Sequence, residues 1–568
     1  MKRNKYIGLM MMAAGLLAAT SCSDFSDYNE AYVDANASAD KTLWDNITSN
    51  PQLTKFANLV KKAGFDDELQ SSRFYTVWAP LDDQFDDSKY TAEDSSVVLE
   101  KFIKNHIAEY NYSASGNIDE RVHALNKKSF DFTGAGQYTY DGIAVQQANI
   151  PSVNGIIHTI NGMAEYYPNL YDYMPQGSGI DSLSNYFKKY EIEYLDKENS
   201  VVGPIVDGKQ TYIDSVVVMY NTMSRTLNAE LDNEDSSYTF IMPTNETWVK
   251  QYNKVRPYYN YIAKTMYQDL LTAQGTTFSN KTVTIDNAYM RDSITKMMIV
   301  KDLIFSNNDA YSQWVEDSNA PKTDTIRTTR RTKLSNANDI LAQTIENGKV
   351  KMSNGYARVV DSIASYSWET YAPTLDLSPI SNVGRVLTGT AHNMYVTYPN
   401  PDKGDFSKNG LSYLWVEPTT NNAKPELDIM LPNVLATTYN FYCVFVPRSA
   451  NLENGNVPTN PNQVNFVLNY CNARGALADY KFSSDMKENP SKAVPFENDT
   501  SKVDTMFLGK FTFPVAYSGL GDCKPNIKIT TPFSQFNQAM LAKYTRDLRI
   551  AAIILKPVEQ DEFEATKE

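Results

Sequence analysis

Asp82-Asp83 and Asp86-Asp87 set two pairs of carboxylates side by side, the residue type that general acid–base hydrolysis employs. Neighbours on one loop lack the opposed placement across a scissile bond that hydrolysis needs, so both pairs read as a solvated acidic loop. The histidines His106, His123, His158 and His392 form no HExxH. No two of the cysteines Cys22, Cys443, Cys471 and Cys523 stand at zinc-ligand spacing. A GxSxG elbow, a P-loop and a GxGxxG turn are all missing from the sequence. These residues predict a protein that is not an enzyme and that holds neither metal nor cofactor.

Composition narrows the class. A chain of 568 residues exceeds what one hydrophobic core sustains, roughly 250–300 residues, so several domains are expected. A hydrophobic content of 42% with 25 Gly and 25 Pro describes a folded body rather than a disordered one. The 38 Tyr suit half-exposed β surfaces and recognition patches alike. A formal charge of -14 without a concentrated basic face argues against nucleic acid and anionic lipid as partners.

At the N-terminus Lys2, Arg3 and Lys5 precede an apolar run, Ile7 to Ala19, too short to span a bilayer, and Ala19-Thr20-Ser21 leads into Cys22. The arrangement resembles a bacterial lipoprotein signal, with Ala19 where that family most often has Leu. The resemblance implies a leader over 1–21, acylation of Cys22 and a mature chain held on a membrane by lipid alone. Residues 22–39, acidic and poor in aliphatics, read as a flexible tether. Acidic residues just behind the cysteine also resemble the export signal of Bacteroidota surface lipoproteins, which implies the outer membrane and the cell surface. With Cys22 so assigned, three cysteines remain and at least one thiol stays unpaired. Cys443 in FYCVFVP and Cys471 at the end of VNFVLNYC lie in strand-like runs and read as small core residues.

The elements announce themselves through a phrase written twice, YTVWAPLDDQF at 75–85 and YTFIMPTNETW at 238–248. In the first copy Thr76-Val77-Trp78 is a short β run that Pro80 must end, and Asp82 or Asp83 can cap the next segment of the chain. Leu53, Phe56, Leu59 and Val60 recur at helical spacing, so a helix is expected over 51–69. Later, Asn154-Gly155 sets a turn before the alternating strand that carries His158. These motifs resemble the fasciclin domain, whose members carry a strand–Ala-Pro–Thr-Asn phrase early and an Asn-Gly–strand–His phrase late. Thr76, Ala79, Pro80, Asn154, Gly155 and His158 hold those places here. His106 falls at the family's Tyr-His pair, with Asn105 in place of the Tyr. Beside apolar strand residues, His106 and His158 are expected to tie loop to strand rather than to act in chemistry.

In the second copy Pro243-Thr244-Asn245 keeps the family phrase and Asn354-Gly355 repeats the turn, but no histidine stands opposite His106 or His158. A helical stretch is expected near YNYIAKTMYQDLLTAQ, and the polar run EDSNAPKTDTIRTTRRTK reads as an exposed insertion. From about residue 376 short strand-like runs closed by Pro, Asn or Gly predict a β-sandwich of jelly-roll type. The expected architecture is α+β, with fasciclin-like domains at 40–172 and 178–372 and a β-sandwich at 376–568.

In that sandwich Tyr413, Trp415 and Tyr439 are candidates for a sugar-stacking platform, against the plainer reading that they are core. Fasciclin-like domains imply a non-catalytic binding or adhesion protein with a protein or glycan partner at the outer membrane. A narrower form is an accessory lipoprotein of a nutrient importer of the SusC/SusD type. The alternative is a glycan-binding or degenerate glycoside-hydrolase-associated protein acting through the sandwich.

Overall fold

A computed structural model describes residues 40–262, 264–269, 272–273, 276–277, 281–378, 385–386, 392–397, 412–447, 460–519, 523–534 and 536–567. The expected leader, Cys22 and the tether lie outside these residues. The chain divides into two compact units. One takes in the described residues of Met1–Gln176, Glu230–Tyr238 and Val350–Ala357; the other those of Gly177–Ala229, Thr239–Lys349 and Arg358–Glu568.

The first unit is organised by the strand of the repeated phrase. Tyr75–Pro80 runs parallel to Gly155–Ile160, Tyr75 facing Gly155 and Pro80 facing Ile160, inside a seven-stranded sheet. Every residue of both strands is buried, as parallel strands covered on both faces require. Successive side chains serve opposite faces: Val77 joins Phe56, Leu59 and Val60 of the helical layer, while Trp78 joins Phe132 and Tyr140 on the other side. The helix expected over 51–69 is two helices, Thr54–Ala63 and Asp66–Gln70, because the first ends on Gly64. Segments from later in the chain are fastened here by a buried ion pair. Lys128 lies 2.6 Å from the Glu234 carboxylate and 3.2 Å from Ser353 Oγ.

The second unit holds most of the second copy. A four-stranded sheet runs Ile304–Ser306, Tyr238–Pro243, Gly355–Val360, Thr344–Met352, with Pro243 ending one strand and Gly355 opening another. Two expectations are corrected. Residues 264–269 form a strand paired antiparallel with 281–286, not a helix, after a 3-10 turn at Arg256–Tyr259. The β-rich run Thr282-Val283-Thr284-Ile285 supplies a partner that a window confined to 259–274 does not contain. The polar run at 316–333 is exposed only in part. Ile326 is fully buried, Ile326–Arg327 pairs with Lys333–Leu334, and the Glu316 carboxylate sits 2.8 Å from Arg358 Nε.

Residues beyond 374 form two antiparallel six-stranded sheets. Leu548–Pro557 lies inside one, flanked by Tyr413–Pro418 and Thr438–Phe445, and is almost wholly buried. Gln463–Cys471 lies inside the other, flanked by Asn526–Thr530 and Leu477–Lys481. Ring contacts between them, Phe441–Phe482 at 5.0 Å and Tyr470–Phe511 at 4.7 Å, make the pair a β-sandwich. Cys471 is not a lone core residue: it is disulfide-bonded to Cys523, and Cys443 remains free and buried.

Candidate functional site

The Asn-Gly turn of the first copy is densely bonded. Asn154 Oδ1 accepts from Leu43 N–H at 2.8 Å, and its Nδ2 donates to Leu69 O at 2.9 Å and Ser71 O at 2.8 Å. One side chain thus fixes the start of the helix Leu43–Ser49 and the loop before the motif strand. Gly155 follows at φ +145°, where a Cβ would stand 1.9 Å from Tyr75 O. The second copy repeats this construction bond for bond. Asn354 Oδ1 accepts from Leu170 N–H at 2.9 Å, its Nδ2 donates to Leu231 O at 2.7 Å and Asn233 O at 3.1 Å, and a Cβ on Gly355 would stand 1.9 Å from Tyr238 O.

The Pro-centred phrase is repeated in the same sense. Two residues after Pro80, Asp82 accepts from Thr54 N–H at 3.0 Å and Lys55 N–H at 2.8 Å. Two residues after Pro243, Asn245 accepts from Ser182 N–H at 2.8 Å. Each caps a helix that precedes it in the chain, whereas a cap on the following segment was expected of Asp82. Thr244 caps the helix Asn245–Val255 through Thr247 N–H. Thr76 is consumed by the backbone, donating to Tyr110 O at 2.8 Å and accepting from Tyr112 N–H at 2.9 Å.

His106 and His158 are buried and fully engaged. His106 Nδ1 lies 2.7 Å from Phe102 O while Nε2 accepts from Ala164 N–H at 2.9 Å. His158 Nε2 lies 2.9 Å from Tyr112 O while Nδ1 accepts from Asn149 N–H at 3.3 Å. Each ring therefore donates at one nitrogen and accepts at the other, the pattern of a neutral imidazole. Burial pushes both pKa values down to about 4, only partly opposed by the bond to the carbonyl. Among the described residues no cluster of His, Cys, Asp and Glu is arranged to hold a metal ion.

The proposed stacking platform is corrected. Tyr413 and Tyr439 are 1% and 0% exposed, so neither ring can meet a ligand. Both occupy inward positions of their strands, a parity the sequence does not reveal without knowing which face is covered. Trp415 is half-buried, and its Nε1–H donates to Asp547, the carboxylate that pairs with the buried Arg549 guanidinium. It supports that ion pair.

Two surface features take the platform's place. A cleft of about 600 Å³ is lined by Tyr258, Ser367, Tyr480, Glu488, Lys510 and Glu559 among others. In it Tyr258 Oη donates to Glu559 at 3.1 Å and Ser367 Oγ to the same carboxylate at 2.6 Å. Burial raises the Tyr258 pKa to about 12, so its hydroxyl stays a donor at neutral pH. The second feature is a two-stranded hairpin, Glu191–Val206 with Lys209–Asn221. Ten of the 25 exposed large apolar side chains among the described residues lie on it, with Ile205 70% and Ile213 76% exposed. The sequence carried a signal for the hairpin, the turn Asp207-Gly208 between two β-branched runs.

These contacts define an α+β protein whose motif strands are locked by an Asn-Gly turn. Residues 51–164 match the family model of the fasciclin domain. No curated protein matches the chain. Among solved structures it is similar to a FAS1 domain pair from the insect cell adhesion molecule fasciclin I, at 13% identity, covering 56% of this chain and 99% of that one, with a TM-score of 0.20. It is also similar to the CBM22-1 xylan-binding domain of Paenibacillus barcinonensis Xyn10C, at 9% identity over 32% of this chain and 94% of that one, again with a TM-score of 0.20. Likenesses at this TM-score carry no argument about function. No described helix is long and apolar enough to cross a membrane.

Proposed function

We propose that this is a non-catalytic binding protein in which two fasciclin domains and a β-sandwich are held at the outer membrane, on the cell surface, through a lipidated Cys22. Fasciclin domains are adhesion and binding modules, and the bond-for-bond repetition around Asn154 and Asn354 supports reading the second copy as a second such domain. The motif residues are occupied by structural bonds, so recognition falls to the surface.

The observation that carries the reading is the hairpin Glu191–Val206 and Lys209–Asn221. A two-stranded hairpin is marginal on its own, and an apolar patch of this extent on a soluble surface marks a contact site. Six acidic residues against two lysines over 191–221 disfavour an anionic lipid surface and favour a protein. An outer-membrane importer of the SusC/SusD type is the partner we put first. A photo-crosslinking residue placed at Ile205 or Ile213 is expected to give one discrete protein adduct in cells, and the same residue at exposed Val249 none. Adducts with lipid alone, or none at any position, would remove the hairpin as the contact.

A further inference from the structure

We propose that the cleft between Tyr258 and Tyr480 binds a neutral oligosaccharide chain, a proposal that rests on the reading of the chain as a binding protein. Its volume of about 600 Å³ falls within the ~300–1,000 Å³ typical of small-molecule sites. The lining is neither apolar nor charged in one sense. Hydroxyls from Ser367, Thr437, Thr438 and Thr512 share it with the carboxylates of Glu488 and Glu559 and the ammonium of Lys510.

That mixture selects the ligand by elimination. An anionic ligand would meet two carboxylates for one ammonium, and a cationic one would meet Lys510. A purely apolar ligand would strip water from the exposed Glu488 and Lys510 without replacing their hydrogen bonds. A pyranose presents what remains: hydroxyls that donate to carboxylates and accept from Lys510, and C–H faces that lie on aromatic rings. Two rings are available for those faces. Tyr480 is half-buried and packs against Phe511 at 4.9 Å and Phe482 at 5.2 Å, and Tyr258, also half-buried, packs against Tyr371 at 5.2 Å. Rings fixed in this way lose little freedom on binding. Glu559 is oriented by Tyr258 and Ser367 and still has acceptor capacity, since a carboxylate offers about four lone-pair sites.

The cleft also continues. A second cavity of about 250 Å³ shares Tyr480, Glu488 and Lys510 with the first and adds Phe507 and Met486, 39% and 52% exposed. A groove with a further exposed ring beyond the first suits several linked sugars rather than one.

The test is affinity gel electrophoresis of the full chain in mild detergent, in gels containing galactomannan, mixed-linkage β-glucan, arabinoxylan or polygalacturonate. At least one neutral polymer is expected to retard the protein, and Tyr480→Ala to weaken that retardation about tenfold or more. Because the Tyr480 ring packs on its neighbours, Glu488→Gln and Lys510→Met, both on exposed side chains, serve as variants that leave the core intact; each is expected to weaken retardation severalfold. No retardation by any neutral polymer, retardation by polygalacturonate alone, or unchanged retardation of all three variants would overturn the proposal. A protein adduct at Ile205 together with failure in every neutral gel removes the cleft assignment but keeps the binding reading. Absence of both removes the two together.

Discussion

Lowering the pH from about 6.5 to about 4 is expected to remove on the order of 3 kcal/mol of stability per histidine from the first unit, through His106 and His158. In the unfolded chain both imidazoles titrate near their ordinary value of 6.5; in the folded unit their pKa values are near 4. Between those limits the unfolded state binds protons that the native state refuses, so stability rises with pH across the window. The contribution is fully present above about 6.5, is lost progressively towards 4, and changes no further below. The structural reason is that protonating Nε2 of His106 or Nδ1 of His158 would turn an acceptor for a backbone N–H into a second donor facing it. Asp141 and Asp172, whose carboxyls burial raises, act oppositely: they take up protons earlier in the folded state and recover part of the loss at the acid end. Hydrogen exchange followed by mass spectrometry on peptides covering 75–80 and 155–160 measures this. Protection of those strands should fall steeply between pH 6.5 and 4, and His158→Gln should flatten the fall.

Gly155→Ala is expected to cost the first unit about 4 kcal/mol, backbone strain and overpacking each contributing ~1–3. At φ +145° an L side chain is strained, and its Cβ would stand 1.9 Å from Tyr75 O. That oxygen belongs to the strand paired with Gly155 itself, so relief requires moving the parallel pair apart. Gly355→Ala should behave alike, with Tyr238 O at 1.9 Å. Gly142→Ala is the control: its φ is +77° with nothing within 4 Å of the added Cβ, so only the ~1–2 kcal/mol of left-handed strain applies. Equal urea midpoints for the Gly142 and Gly155 variants would show that the close approach at the turn is not what the glycine serves.

What was legible in the sequence was local. The phrase around Pro80 and the Asn154-Gly155 turn could be read because residue type answers directly to backbone need: proline ends a ladder, and glycine alone fits beneath a carbonyl. The period of Leu53, Phe56, Leu59 and Val60 gave the leading helix, although not its break at Gly64. What failed was set by partners distant in sequence. Asp82 caps a helix 27 residues behind it. Residues 264–269 became a strand because 281–286 pairs with them, and Ile326 was drawn inside by its pairing with Leu334. The burial of Tyr413 and Tyr439 depends on which face of each strand the opposite sheet covers, and the Cys471–Cys523 bond depends on how the loop before Asn526–Thr530 returns to the strand end. The cleft was invisible for the same reason: Tyr258, Tyr480 and Glu559 come from three places in the chain.

Affinity purification of the tagged chain from its native membranes, after mild solubilisation, tests the binding account most directly. Three proteins are compared: the intact chain, a variant whose hairpin between Asp196 and Val216 is replaced by a short Asn-Gly turn, and Cys22→Ala. The account predicts that the intact chain elutes with an outer-membrane protein in near-equal amount. The shortened variant should stay in the membrane fraction but elute without that partner, and Cys22→Ala should leave the membrane fraction. Recovery of the intact chain alone in repeated preparations, or equal recovery of the partner with the shortened variant, would contradict it.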